Sequence, residues 1–158
     1  MKKENWLKDN KLKTENKLIT FYRGSENSDI NHKNVNFFSK NKTFAEDYGE
    51  IKEYYLRSKK PFDSTDIEHI EKLLTSIGFI EDPYSGNIFE DAESFVESLS
   101  SDTWEGIENN LNTIQALGFD SVIVYEGGIQ NYIVFSPEQI IKKEEYEKKI
   151  KNKKKFKL

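Results

Sequence analysis

Ser121-Val122-Ile123-Val124-Tyr125-Glu126-Gly127-Gly128-Ile129-Gln130-Asn131-Tyr132-Ile133-Val134-Phe135 decides the fold. Residues 121–125 and 132–135 are β-branched and aromatic runs, which suit a pleated, half-buried strand. The intervening Glu126-Gly127-Gly128-Ile129-Gln130 supplies glycines for a hairpin-like connection. Upstream the period changes. Trp104, Ile107, Leu111, Ile114 and Leu117 recur every three or four residues after a box-like Asp102-x-x-Glu105 start, and Gly118 closes that helix. Ala92, Phe95, Val96 and Leu99 space as another helical face. Thr65-x-x-Glu68 reads as a capping box ahead of Ile67, Ile70, Leu73, Leu74 and Ile77, with Gly78 at the end. Residues 80–88, with Pro83 and Gly86, read as a turn-rich connector.

Toward the N-terminus the pattern is again extended. Residues 18–22 form a β-rich run ended by Gly24, 25–34 a loop, and 35–38 a second strand. Residues 43–48 predict a short helix with Gly49 just beyond it, and 53–57 a third strand stopped by Pro61. Residues 1–16 read as a flexible arm or a short leading helix, anchored only by Trp6 and Leu7. Downstream, Ser136-Pro137-x-Gln139 has the form of an N-cap with proline at the first helical position. Strands, then helices, then strands indicate an α+β fold.

The 158 residues fit one domain, and eleven Phe and eight Tyr can fill its core although only 35% of residues are apolar. There is no cysteine, which excludes disulfides, thiolate metal sites and a cysteine nucleophile, and fits a reducing cytoplasm. No apolar run is long enough for a membrane span, and Met1–Trp6 lacks the apolar region of a signal peptide. The net charge of −4 hides an asymmetry. Residues 73–141 hold twelve Asp and Glu and no Lys or Arg, whereas 142–158 hold nine Lys and three Glu. An acidic midsection is either a solvated face or a surface that steers a basic partner. It argues against a large nucleic-acid footprint.

Four segments then stand in a telling order: Phe21-Tyr22-Arg23-Gly24, Phe37-Phe38-Ser39, Ala45-x-x-Tyr48, and Gly118-Phe119-Asp120-Ser121-Val122 with Tyr132-Ile133-Val134-Phe135-Ser136-Pro137-Glu138-Gln139-Ile140. Together they resemble the ADP-ribosyltransferase superfamily, in its small phage- and mobile-element-associated branch of polyvalent-protein and anti-CRISPR types. The likeness runs from about residue 18 to 141. It implies a split β-sheet core over 17–141 with a helical insertion at about 65–117, flanked by the 1–16 arm and a Lys-rich tail at 142–158. It also implies that Ser136-Pro137 is a short turn leading into an edge strand at Ile140-Ile141.

The resemblance implies NAD as donor of ADP-ribose and no metal. Cleaving the nicotinamide–ribose bond passes through an oxocarbenium-like state, so the site needs a phosphate-holding cation, an aromatic grip and a carboxylate near the ribose. Arg23, flanked by Tyr22 and Gly24, suits the pyrophosphate through bidentate contacts, with Gly24 letting the ligand approach the backbone. Ser39 matches the hydroxyl that supports the family's site, and Tyr48 the ring that stacks on nicotinamide; packing into the core is the competing role for Tyr48. At the start of the second hairpin strand, where the family's glutamate stands, this chain has Gln130 and Asn131. Glu126 is therefore the preferred catalytic carboxylate, with Gln130 and Asn131 as amide partners for ribose hydroxyls. His32 and His69 are too isolated for a metal or a triad.

The reading implied is an NAD-dependent ADP-ribosyltransferase working in the cytoplasm, the host's if it is phage-encoded. Its acceptor is a host macromolecule, a protein rather than a nucleic acid, and its role counter-defence, host takeover or toxicity. NAD hydrolysis and an inactive acidic binding module are the alternatives.

Overall fold

A computed structural model describes residues 5–25 and 36–155. Of the loop expected at 25–34, Ser25 instead ends the strand Phe21–Ser25; its remaining residues, His32 among them, and Val35, expected in a strand, lie outside the described residues. In chain order the elements are β1 (Lys13–Thr14), β2 (Lys17–Leu18), β3 (Phe21–Ser25), β4 (Asn36–Ser39), α1 (Lys42–Glu46), β5 (Glu50–Leu56), β6 (Pro61–Asp63), α2 (Ile67–Ile77), β7 (Ile80–Glu81), β8 (Ile88–Phe89), α3 (Ala92–Leu99), α4 (Trp104–Ile107), α5 (Leu111–Ala116), β9 (Ser121–Glu126), β10 (Ile129–Val134), β11 (Ile140–Lys142) and α6 (Lys143–Lys155). The architecture is α+β, as the alternation of periods indicates. It divides into two compact units, residues up to Lys59 with those from Ser136 onward, and Lys60–Phe135.

In the first unit the strand order is β11–β5–β3–β4, antiparallel throughout. Phe21, Phe38, Tyr54 and Leu56 are fully buried, and Phe38 meets Tyr54 edge-on at 5.4 Å. Gly24 does not end β3. It lies within the strand opposite Ile51, where a Cβ would collide with the carbonyl oxygen of Ala45 in α1. The glycine lets a helix, rather than only a ligand, approach the strand backbone.

The N-terminal segment is neither a flexible arm nor a helix over its described part. Trp6 and Leu12 are buried, and the Arg57 guanidinium covers the Trp6 ring at 4.8 Å. Asn10 holds the segment down: its Nδ2 donates to the Trp6 and Leu56 carbonyls, and its Oδ1 accepts from Leu12 N and Ser58 N. The Lys-rich tail is likewise attached. Lys142 completes β11 against β5, and Tyr146 of α6 packs edge-on against Trp6 at 6.3 Å and Tyr55 at 5.4 Å. Both readings of residues 136–141 hold. Ser136 caps a 3₁₀ turn at Pro137–Gln139 in a full capping box, and the chain then enters β11.

In the second unit the order is β10–β9–β6, with β6 parallel and β10 antiparallel to β9. Helices α2 to α5 occupy the middle of the chain, and their apolar stripes supply Ile70, Leu73, Phe95, Ile107 and Ile114 to the core. Local starts differ from expectation. Asp66, not Thr65, caps α2, accepting from Glu68 N and His69 N, while Thr65 is engaged by Asp63. The periodic run from Trp104 breaks into two helices joined by a 3₁₀ turn at Glu108–Asn110, where the Asn110 amide donates back to the Gly106 carbonyl. The connector at 80–88 is a small hairpin, β7 pairing with β8. His69 has a packing role: Nδ1 accepts from Asp63 N, and the ring lies against Phe62 and Phe119.

Candidate functional site

Tyr22, Arg23, Gly24, Ser39 and Tyr48 belong to the first unit, and Glu126, Gln130 and Asn131 to the second. Each group is set by its own strands.

In the first, β3 pairs with β4 so that Tyr22 opposes Ser39. Side chains alternate across a strand, so Tyr22 and Ser39 share one face and Arg23 and Phe38 the other. The Arg23 guanidinium sits 5.9 Å from the centre of the Phe38 ring, and one of its terminal nitrogens donates to the Phe37 carbonyl at 3.4 Å. Its buried Nε has no hydrogen-bond partner. Burial lowers the guanidinium pKa, and among the described residues no carboxylate pairs with it. A partly buried cation without an anion is costly unless something supplies one. Ser39 is buried, and its hydroxyl accepts from Asn41 N at the entrance to α1. Tyr48 lies just past α1, is 55% exposed and tilts against Phe44 at 5.6 Å.

In the second, Gly127 and Gly128 both take positive φ, 54° and 80°, and form a two-residue turn. The turn is tighter than the five-residue connection expected, since Glu126 ends β9 and Ile129 begins β10 opposite it. That register places Glu126 and Asn131 on one face, because Asn131 opposes Val124. Gln130 points to the other face, where its amide donates to the Tyr125 hydroxyl at 3.0 Å and accepts from the Tyr132 hydroxyl at 2.6 Å. The two amides expected to act together are thus separated, and that of Gln130 is engaged.

Asn131 is fully buried, and neither atom of its amide makes a hydrogen bond of good geometry. It is still near enough to Glu126 to favour the ionised carboxylate, which is the weaker of two opposing influences. Burial, and then the charges of Glu105, Asp102 and Glu108, hold the Glu126 carboxyl above the ordinary range. Asp102, expected to start a helix, instead accepts from Gly127 N at 2.6 Å and pins the hairpin tip. Thr103 bonds Ser64 and Tyr125 N beside it. No local sequence signal marks Asp102 or Glu105 as neighbours of Glu126. Among the described residues no group of three or more His, Asp or Glu could hold a metal ion, and no helix is long and apolar enough to cross a membrane.

The family described as "ADP-Ribosyltransferase in polyvalent proteins" matches residues 14–151. The chain belongs to this family, whose members use NAD as the source of ADP-ribose. A crystal structure described as that of an anti-CRISPR protein is similar at 19% identity and a TM-score of 0.43, covering 77% of this chain and 90% of that one. No curated protein matches.

Proposed function

We propose that this protein transfers ADP-ribose from NAD to a protein acceptor in the cytoplasm of a host cell. The observation that supports it most is Arg23, a partly buried guanidinium with no carboxylate partner among the described residues, in the Tyr-Arg-Gly segment of a family that uses NAD. It would take the pyrophosphate through charge-assisted bonds. Tyr48 offers an exposed ring for nicotinamide, while Tyr22 and Gly24 flank Arg23, and Ser39 shapes the turn beside it.

In this reading Glu126 and Asn131 serve the nicotinamide ribose. The bond from C1′ to the nicotinamide nitrogen breaks with its electron pair leaving on nicotinamide. The Glu126 carboxylate stabilises the resulting positive charge, and the Asn131 amide bonds ribose hydroxyls. An acceptor nucleophile then bonds C1′ and gives its proton to Glu126, whose raised pKa suits it to receive one. Gln130 holds Tyr125 and Tyr132 and supports the strand from behind.

A second reading is a member that binds without transferring, or that passes ADP-ribose to water. The amides at 130 and 131, where the family's glutamate stands, favour it. Incubating the protein with NAD labelled in the adenylate and a bacterial lysate separates the readings. Labelled protein bands support transfer, free ADP-ribose indicates hydrolysis, and intact NAD would leave only a binder.

A further inference from the structure

The hairpin of β7 and β8 turns its apolar residues both ways. Ile80 and Phe89 oppose each other and are buried, at 1% and 8% exposure. The outward positions carry Phe79 at 49%, Ile88 at 58% and, at the tip, Tyr84 at 83% exposure. Large apolar side chains normally occupy such positions singly, whereas here three stand on and beside one short hairpin.

The tip that projects Tyr84 is built rather than loose. Asp82 accepts from Tyr84 N at 3.1 Å and from the Ser85 hydroxyl at 2.7 Å. Its backbone pairs with Asn87 O and Gly86 N, and Gly86 supplies the positive φ of 76° that closes the turn. With the backbone of the tip fixed in this way, docking of Tyr84 has to order only its few side-chain torsions.

Charge selects the kind of partner. Glu81 lies opposite Ile88 in register, and Asp82, Glu90, Asp91 and Glu93 stand in the same stretch of chain. Among the described residues no Lys or Arg forms an ion pair with any of them. Hydrogen bonds from Ser85 and from Ser94 hold the Asp82 and Asp91 carboxyls below the ordinary range, so both stay ionised.

We propose that the outer face of this hairpin docks a positively charged protein surface, with Tyr84 and Ile88 packing on its apolar side chains and the surrounding carboxylates meeting Lys or Arg beside them. Nucleic acid and anionic lipid are repelled by the same carboxylates. A second copy presents the same acidic hairpin, and among the described residues its Lys-rich helix carries one exposed large apolar side chain, Ile150, to meet the anchors.

The test is amide-resolved NMR titration of the isotope-labelled full chain. The probe is a synthetic Lys/Arg-rich peptide with interleaved Leu, beside a length-matched Asp/Glu-rich control. Saturable shifts confined to residues 79–93 are expected with the basic probe alone. They should weaken as salt rises from about 50 to 300 mM, over which the screening length falls by a factor of about 2.4. Tyr84→Ala with Ile88→Ala should weaken binding by about fivefold or more, as truncated anchor residues do, and Glu81→Lys with Glu90→Lys should abolish it. These side chains are exposed, and an unchanged circular dichroism spectrum verifies the fold of each variant. Shifts centred elsewhere, absent binding, or equal affinity of the apolar variant would overturn the proposal. So would concentration-dependent self-association of the native chain that Tyr84→Ala dissolves, which would make the occupant a second copy.

Discussion

Replacing Gly24 by alanine is expected to destabilise the protein without any ligand present. Gly24 has ordinary strand backbone, absent from the positive-φ glycines, so alanine causes no dihedral strain. On backbone preference alone it would stabilise a strand by roughly 0.5–1 kcal/mol. The new Cβ, however, collides with the Ala45 carbonyl oxygen and lies 3.3 Å from Ile51 Cδ1. That carbonyl is fixed, since it accepts from Tyr48 N at 3.0 Å. Overpacking costs about 1–3 kcal/mol, and a backbone obstacle belongs at the upper end. The net is about 2 kcal/mol, which for a chain of this size lowers Tm by roughly 4–8 °C. Thermal unfolding followed by circular dichroism measures it, with NAD titration as a second readout. An unchanged or higher Tm, above all with lost NAD affinity, would refute the reasoning and show that the glycine serves a ligand alone.

Arg23→Met keeps length and apolar contact with Phe38 but removes a cation that has no carboxylate partner among the described residues; Tm is expected to hold or rise, while calorimetric NAD binding is lost. Because burial first and the neighbouring carboxylates next hold the Glu126 pKa above its unfolded value, its protonated form favours the fold and its ionised form opposes it as pH rises through the folded pKa. Glu126→Gln should therefore be the more stable at pH 7–8, by no more than about 1 kcal/mol for a group only partly buried, and the difference should vanish below about pH 4, where the unfolded carboxyl is protonated too. Ending the chain after Ile141 removes Lys142 from β11 and Tyr146 from Trp6 and Tyr55, for an expected loss of about 2 kcal/mol or more. Ending it after Lys151, where the family match stops, should leave the melting curve nearly unchanged.

The hairpin of β9 and β10 and the helices α2 and α3 were legible because their signals are local: β-branched runs around paired glycines, and apolar residues at helical spacing. What escaped was non-local or ambiguous by one residue. Asp66 is as good a cap as Thr65, and only its bonds to Glu68 N and His69 N distinguish them. Asn10 reads as a polar residue in a polar arm, yet it satisfies groups at Leu56 and Ser58, far along the chain. Gly24 reads as a strand end because its reason, the Ala45 carbonyl, lies on another element.

The candidate site divides in the same way. Arg23 could be picked out from its motif, but its lack of a carboxylate partner among the described residues could not. Treating residues 126–130 as one connection hid the register. Taken as a two-residue Gly-Gly turn, the same sequence pairs Glu126 with Ile129 and puts Asn131, not Gln130, on the Glu126 face. The acidic residues at 102, 105 and 108 that raise the Glu126 pKa come from a separate segment, and no spacing rule connects them.

The most direct measurement is release of nicotinamide from NAD, followed by chromatography with the native chain, Glu126→Gln and Asn131→Ala in the presence of lysate protein. Release is expected with the native chain, with a loss of about 100- to 1000-fold in Glu126→Gln while NAD affinity is retained, and a smaller loss in Asn131→Ala. Full turnover by Glu126→Gln, or no nicotinamide release by the native chain under any of these conditions, would contradict it.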